Sequence, residues 1–370
     1  MVFKQPIVFP VAVGDLSALP EGPAVYLIRP RQGRPYLGRT SILRRRMTRL
    51  FAKWKLAEVA SHVDYWPTAS RLEQWMLSYE LALEVFPDDY ERVLRLPKPA
   101  YLKLVLANPF ARTQISTRLS GAQNIFFGPF PARASADQFE GQLLDLFQLR
   151  RCQEELVPST GHPGCIYGEM QRCLRPCQQA VTGEEYATEA ERVADFLATR
   201  GRDTLERTAL MRDRASQAME FEQAAHLHAR HDKIALVARQ PGELAGSATQ
   251  LCGIAVTAST EPEAVMLWFL REGLWLPPVP FSLAPIVDKP ASLDLRLREL
   301  MAPLAAPAAP AFATQRERHL ALLAKWFYSS WRDGEWLGVE NFGKVPYRKL
   351  VNAIHRVARG KTAAASAEPE

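Results

Sequence analysis

Nowhere in the 370 residues is there an uncharged apolar run of roughly 18 residues, so no membrane-spanning helix is expected. The opening MVFKQPIVFPVAVG has a single lysine and no sustained apolar core ahead of a cleavage-type site. No secretory signal is therefore expected, and a cytoplasmic location follows. Cysteine is scarce: there are five, and four of them fall between Cys152 and Cys177. In a reducing compartment such thiols serve as metal ligands, catalytic groups or buried apolar residues rather than disulfides. Between Arg29 and Lys55 acidic residues are absent against ten basic ones, more than the net +6 of the whole chain. Tyr36, Leu37, Ile42, Leu43, Leu50, Phe51 and Trp54 interleave with that charge, which favours a folded basic face and a polyanionic partner over a solvated run.

At 47% hydrophobic residues the chain has the composition of a folded protein of two or three units. Val25 to Ile28 and Pro35 to Leu37 flank the polar stretch RPRQGR as a hairpin. Thr40 or Ser41 can cap a helix running to about Ala57, and a second helix is expected from Arg71 to Phe86, before Pro87. Strands (YLKLVLA, NIFFGPF) and a helix over 136–148 follow. Thr182 and Glu185 form a capping pattern for a helix through Leu197, and a longer charged helix is expected over 203–238. Strands return at Cys252 to Val256, Ala264 to Leu270 and Leu274 to Leu276. MAPLAAPAAPAFA reads as a linker before helices near Arg316 to Ser330 and Tyr347 to Val357. The fold class expected is multidomain α+β.

Gly22-Pro23-Ala24-Val25-Tyr26 and Tyr36-Leu37-Gly38-Arg39-Thr40 resemble the two halves of the GIY-YIG nuclease signature. Arg46 follows Tyr36 by ten residues, and Glu73 leads a helix that ends at Pro87, a pattern similar to the UvrC family of excision-repair nucleases. Phosphodiester hydrolysis needs a water that loses a proton, a neutralised phosphate and a stabilised leaving oxygen. A carboxylate on a divalent cation, an arginine and tyrosine hydroxyls can supply these. The resemblance implies that Glu73 binds Mg2+ or Mn2+, that Arg46 stabilises the transition state and that Tyr26 and Tyr36 position or deprotonate the water. Arg39 stands where the family has a lysine, and Arg44, Arg45, Arg49 and Lys53 are the expected DNA contacts. Each residue also has a structural alternative: strand packing for the tyrosines, solvent for Arg46 and a Ser70-x-x-Glu73 capping box for Glu73. Ala24, Leu50 and the ending Pro87-Asp88-Asp89-Tyr90 depart from the family pattern. They motivate the competing expectation of a non-catalytic DNA-binding or UvrB-binding module.

Cys152, Cys165, Cys173 and Cys177, spaced C-x12-C-x7-C-x3-C, fit either a tetrahedral Zn2+ or an iron-sulfur cluster. LRRC and HPGCIYGEMQRCLRPC also resemble the UvrC family, which implies an iron-sulfur cluster of the four-iron type. Cys252 reads as a buried strand residue. Met219-Glu220-Phe221-Glu222-Gln223-Ala224-Ala225 resembles the UVR motif, implying a helical hairpin that contacts a UvrB-like helicase through Phe221 and Ala225. The tryptophans Trp326, Trp331 and Trp336 read as packing residues in preference to base contacts.

The domains expected are a GIY-YIG nuclease-like unit at 15–98, a strand, helix and cysteine-cluster segment at 99–180 and a helical region with the UVR-like motif at 181–240. A β-rich segment at 241–300, an Ala/Pro linker at 301–315, C-terminal helices at 316–358 and a tail at 359–370 complete the chain. The function implied is a metal-dependent incision of damaged double-stranded DNA on the 3′ side of a lesion. With the resemblance covering residues 15–285, one cut rather than two is expected, and no membrane is involved.

Overall fold

The computed structural model describes residues 5–13, 15–121, 123–284, 292–306 and 313–360. The middle of the expected linker (307–312) and the tail from 361 lie outside the described residues. Two compact units emerge, one formed by 1–97, 252–310 and 325–370, the other by 98–251 and 311–324. Both mix helices and sheets, so the α+β class holds. Among the described residues no helix is long and apolar enough to cross a membrane.

The first unit begins with an antiparallel sheet of β1 (Ile7–Pro10), β2 (Ala24–Pro30), β3 (Tyr36–Thr40) and β4 (Ala60–Pro67), ordered β1-β4-β2-β3. Period-two alternation in β2 sends Ala24, Tyr26 and Ile28 into one apolar core. α1 (Leu43–Trp54) covers that face with Leu43, Met47 and Leu50, spaced i, i+4, i+7. Burying each of those side chains contributes about 1.5–3 kcal/mol. The helix ends three residues earlier than the sequence suggested because Lys55 adopts a left-handed φ of 48°, a C-terminal stop before α2 (Leu56–Val59). α3 (Arg71–Val85) lies where expected and packs on β2 and β3, followed by α4 (Tyr90–Leu94).

In the second unit β5 (Ala100–Val105), β6 (Arg112–Ser116), β7 (Ile125–Phe130) and β8 (Gly246–Ser247) are ordered β6-β5-β7-β8. α5 (Arg133–Leu144) stacks Phe139 on Phe127, with ring centroids 5.2 Å apart. After α6 (Ile166–Glu169), α7 (Gly183–Thr199) starts at the anticipated Thr182–Glu185 capping box and adds Tyr186, Val193 and Phe196 to the same core. The charged helix expected over 203–238 is two helices, α8 (Arg202–Gln217) and α9 (Phe221–Arg239). Met219 breaks it with a φ of 58°.

The first unit resumes with β9 (Cys252–Ala258), β10 (Ala264–Arg271), β11 (Leu274–Trp275), β12 (Val279–Ser282) and α10 (Leu293–Met301); α11 (Ala313–Phe327) belongs to the second unit through Ala324 and passes into the first at Lys325, ahead of α12 (Tyr347–Ala358). β13 (Glu335–Val339), which the sequence pattern did not suggest, pairs with β9. Leu350, Ile354 and Val357 of α12 and Leu297 and Met301 of α10 share a core with β9 and β10.

Candidate functional site

Tyr26 sits in the middle of β2, fully buried, directly across from Gly38 of β3. Tyr36 occupies the same sheet face, and its ring centroid is 6.2 Å from that of Tyr26. Arg46, one turn into α1, donates from Nε to the Tyr26 hydroxyl at 3.0 Å. Burial pushes the Tyr26 phenol up despite that cation, so it stays protonated near neutral pH. Arg46 is pushed up by its bond to Tyr26 and remains a fixed positive charge. Tyr36 is 38% exposed, which leaves it the more accessible hydroxyl, and the Trp54 ring holds it edge-on at 5.0 Å. Position 38 has to be glycine because the Tyr26 ring lies across it. A Cβ there would stand 2.3 Å from Cζ and 2.4 Å from the hydroxyl oxygen.

The basic face of α1 divides. Arg45, Arg49 and Lys53, four residues apart, are exposed as one strip opposite the buried Leu43, Met47 and Leu50. Arg44 turns inward instead, with Nε donating to the Leu19 carbonyl at 2.8 Å and a bond to Glu21 at 2.6 Å. Neither Thr40 nor Ser41 caps the helix. Thr40 Oγ1 accepts the Ile42 amide in a turn just before it.

Glu73 stands in the first turn of α3. Ser70 Oγ accepts its amide at 3.1 Å, as a capping box requires, while its Oε2 accepts the Ala69 amide at 2.7 Å, one residue beyond the usual reciprocal partner. Gln74 Nε2 donates to the Thr40 carbonyl at 2.9 Å and ties this turn to the end of β3. Arg39 alternates to the α3 face, away from the tyrosines, with its guanidinium 3.2 Å over the Trp75 ring. Burial, and then Arg71, push it down to about 10. Its Nη1 is buried without a hydrogen-bond partner.

Several residues around this turn escaped the sequence reading. Asp333 Oδ2 accepts the Arg71 amide at 2.6 Å, and the Trp326 indole N–H donates to the same aspartate at 3.1 Å. Burial pushes Asp333 up, while the Arg71 amide opposes the shift. The Arg71 guanidinium lies 5.4 Å over Trp331, and Lys325 Nζ is 5.9 Å from the Trp75 ring. The available signal was Asp333-Gly334, a turn dipeptide opening β13. Trp326 and Trp336 pack in the interior, as expected; Trp331 stays partly exposed against Arg71.

The four clustered cysteines all lie in the second unit. Cys173 and Cys177 are buried, Cys152 is half-buried and Cys165 exposed. Burial lifts Cys173 to about 11, and charge on Cys152, Cys165 and Cys177 acts in the same direction, so the four sulfurs are electrostatic neighbours. The Arg175 amide points at Cys173 Sγ at 3.4 Å and Arg150 Nη1 at Cys152 Sγ at 3.6 Å. Arg150 is only 2% exposed. Its guanidinium also donates to the neutral carbonyls of Phe110, Cys152 and Glu154. Among the described residues no three Cys, His, Asp or Glu side chains are grouped to hold a single metal ion. Cys252 is buried in β9, as expected, and accepts the Glu272 amide at 3.4 Å.

Phe221 opens α9 with 69% of its surface exposed, and Ala225 is exposed one turn on. Met219, Leu210 and Met211 add exposed apolar surface on this helix pair.

Residues 100–196 match the family described as UvrC/Cho excinuclease, middle domain. The UvrABC system protein C of Lawsonia intracellularis is 31% identical over 270 residues, 70% of this chain and 43% of the relative. That of Nitratidesulfovibrio vulgaris is 29% identical over 273 residues, 71% of this chain and 39% of the relative, and that of Lachnospira eligens 25% over 270 residues, 70% and 44%. The chain spans about two-fifths of the length of the curated relatives it matches. No solved structure matches it.

Proposed function

The chain belongs to the UvrC family, and on that premise we propose that it is a DNA-repair endonuclease of the GIY-YIG type that makes one metal-dependent incision, 3′ of a lesion, in damaged duplex DNA. The observation that carries this is the Arg46–Tyr26 bond beside the accessible Tyr36. A fixed guanidinium and two phenols on one face meet the needs of phosphodiester hydrolysis. Tyr36 orients the attacking water. Tyr26, protonated and held by Arg46, keeps that guanidinium aimed so that its remaining N–H groups meet the phosphate oxygens. Arg45, Arg49 and Lys53 bind the backbone on either side. Glu73 is the carboxylate that would hold Mg2+ or Mn2+, hard cations that take one or two protein carboxylates and fill the rest of their shell with water and phosphate oxygens. A single carboxylate fits that habit. When bound, the cation supplies electrostatic stabilisation of the pentavalent phosphate.

The four cysteines favour an iron-sulfur cluster over zinc. Thiolates on one zinc stand about 3.8 Å apart at tetrahedral Zn–S geometry. The spacing C-x12-C-x7-C-x3-C lacks the two close C-x2-C pairs usual for zinc, and four thiols of which two are buried suit a multi-iron centre. The buried Arg150 also calls for an anion nearby, and metal-bound thiolates provide it. Cys173→Ser is expected to abolish the broad visible charge-transfer absorption and the bound iron of the purified protein; retention of both removes Cys173 from the ligand set, and wild-type protein isolated without oxygen that lacks both excludes this centre. The exposed apolar side chains of Phe221, Met219 and Met211 support docking of the helix pair onto a UvrB-like helicase.

Damaged duplex incubated with this chain, UvrA and UvrB partners and Mg2+ should acquire a single nick that EDTA prevents. Stable binding of the partners with the duplex left intact would favour the non-catalytic module instead.

A further inference from the structure

The second unit holds a basic trough unrelated to the tyrosine site. Its larger part is an open cavity of about 780 Å³ bounded by the segment after α5, by α7 and by α9. A smaller cavity of about 240 Å³ adjoins it towards α8, and Phe147, Arg192 and Arg230 line both. His226, Arg230 and Lys233 follow one another at i, i+4 and i+7 on a single face of α9, and Arg207 of α8 extends the stripe. Two carboxylates also line the trough, and both are already engaged. Glu189 accepts the Gln148 amide at 2.8 Å and pairs with Arg192 at 3.1 Å. Asp145 pairs with Arg151 at 2.7 Å and Arg172 at 3.2 Å. Among the described residues no carboxylate forms an ion pair with Arg207, Arg230 or Lys233.

We propose that this trough binds the phosphate backbone of duplex DNA, through Arg207, Arg230 and Lys233 over the apolar floor of Phe147. Cations without a carboxylate partner, with Lys233 Nζ donating to the Asp145 backbone carbonyl at 3.3 Å, line an open trough and so attract a polyanion and release its counterions. Arg230 and Lys233 are three residues and a rise of about 4.5 Å apart on α9, and their long side chains can spread onto successive phosphates of one strand. The contact carries no base specificity, because guanidinium and ammonium groups aimed at phosphates position a duplex without reading it. It rests on the proposal that the substrate is DNA, and adds a second hold on it, separate from the Arg45, Arg49 and Lys53 strip.

The test titrates a fluorescent duplex against the full chain over a series of salt concentrations. For R207Q/R230Q/K233Q, the slope of log affinity against log salt should fall by about 2 to 3, at roughly 0.9 per lost phosphate contact. Affinity near 0.1 M salt should drop by at least about tenfold. R207K/R230K, which keeps the charge, should behave as wild type, and a thermal melt of each variant separates lost charge from lost fold. R45Q/R49Q/K53Q should lower the slope independently, so that the two sets add. An unchanged slope and affinity in the folded R207Q/R230Q/K233Q protein overturns the trough as a DNA site even if nicking by wild type stands. Absence of any salt-dependent binding by wild type overturns it together with the nuclease proposal. Weaker capture of UvrB with DNA binding intact overturns it in favour of a protein partner.

Discussion

Replacing Glu73 with alanine should lower single-turnover incision by about a thousandfold or more, on the order of 4 kcal/mol of lost transition-state stabilisation. The same carboxylate also accepts the Ala69 amide in the first turn of α3, so alanine removes a helix cap as well. Loss of such a cap costs about 1 kcal/mol of stability. Glu73→Gln separates the two roles. Its side-chain carbonyl can still accept the Ala69 amide, so its thermal midpoint should stay near that of wild type, but a neutral amide holds Mg2+ or Mn2+ poorly and incision should remain lost. Incision at the wild-type rate by Glu73→Gln would reduce Glu73 to a capping residue and remove the carboxylate from the mechanism. DNA binding measured without metal should be unchanged in both variants.

Much of this site was legible because its residues are tied to short-range pattern. The alternation of β2 and the β2–β3 turn bring Tyr26 opposite Gly38, and the apolar spacing of α1 fixes which face Arg46 shares with them. The cap at Ser70 located α3 to within a residue. What the pattern could not show depends on long-range contacts. Arg39, read with the catalytic group, alternates to the opposite face because period two along β3 separates it from Tyr36 and Gly38; it ends up stacked on Trp75. Asp333 meets Arg71 across 262 positions of chain. β13 is five residues of mixed polarity that become a strand only because β9 offers an edge. The break at Met219 sits in a run of good helix formers, where a single left-handed residue leaves little compositional trace.

Gly38→Ala should disrupt the tyrosine site directly. Gly38 has no positive φ to accommodate, so its requirement is one of space: a methyl group would overlap Cζ and the hydroxyl oxygen of Tyr26, which is itself fully buried against α1. Either β3 moves away from β2 or the Tyr26 ring rotates, and overpacking of this kind costs about 1–3 kcal/mol. Rotation also withdraws the hydroxyl from Arg46 Nε, so incision should fall by about a hundredfold, as for removal of one transition-state donor. A double-mutant cycle assigns the cause. In a Tyr26→Ala background the ring is gone, and adding Gly38→Ala should cost little further stability or rate, giving a coupling energy of about 1–3 kcal/mol. Additive losses in the cycle would place the cost in the β3 backbone and sever Gly38 from the Tyr26–Arg46 pair.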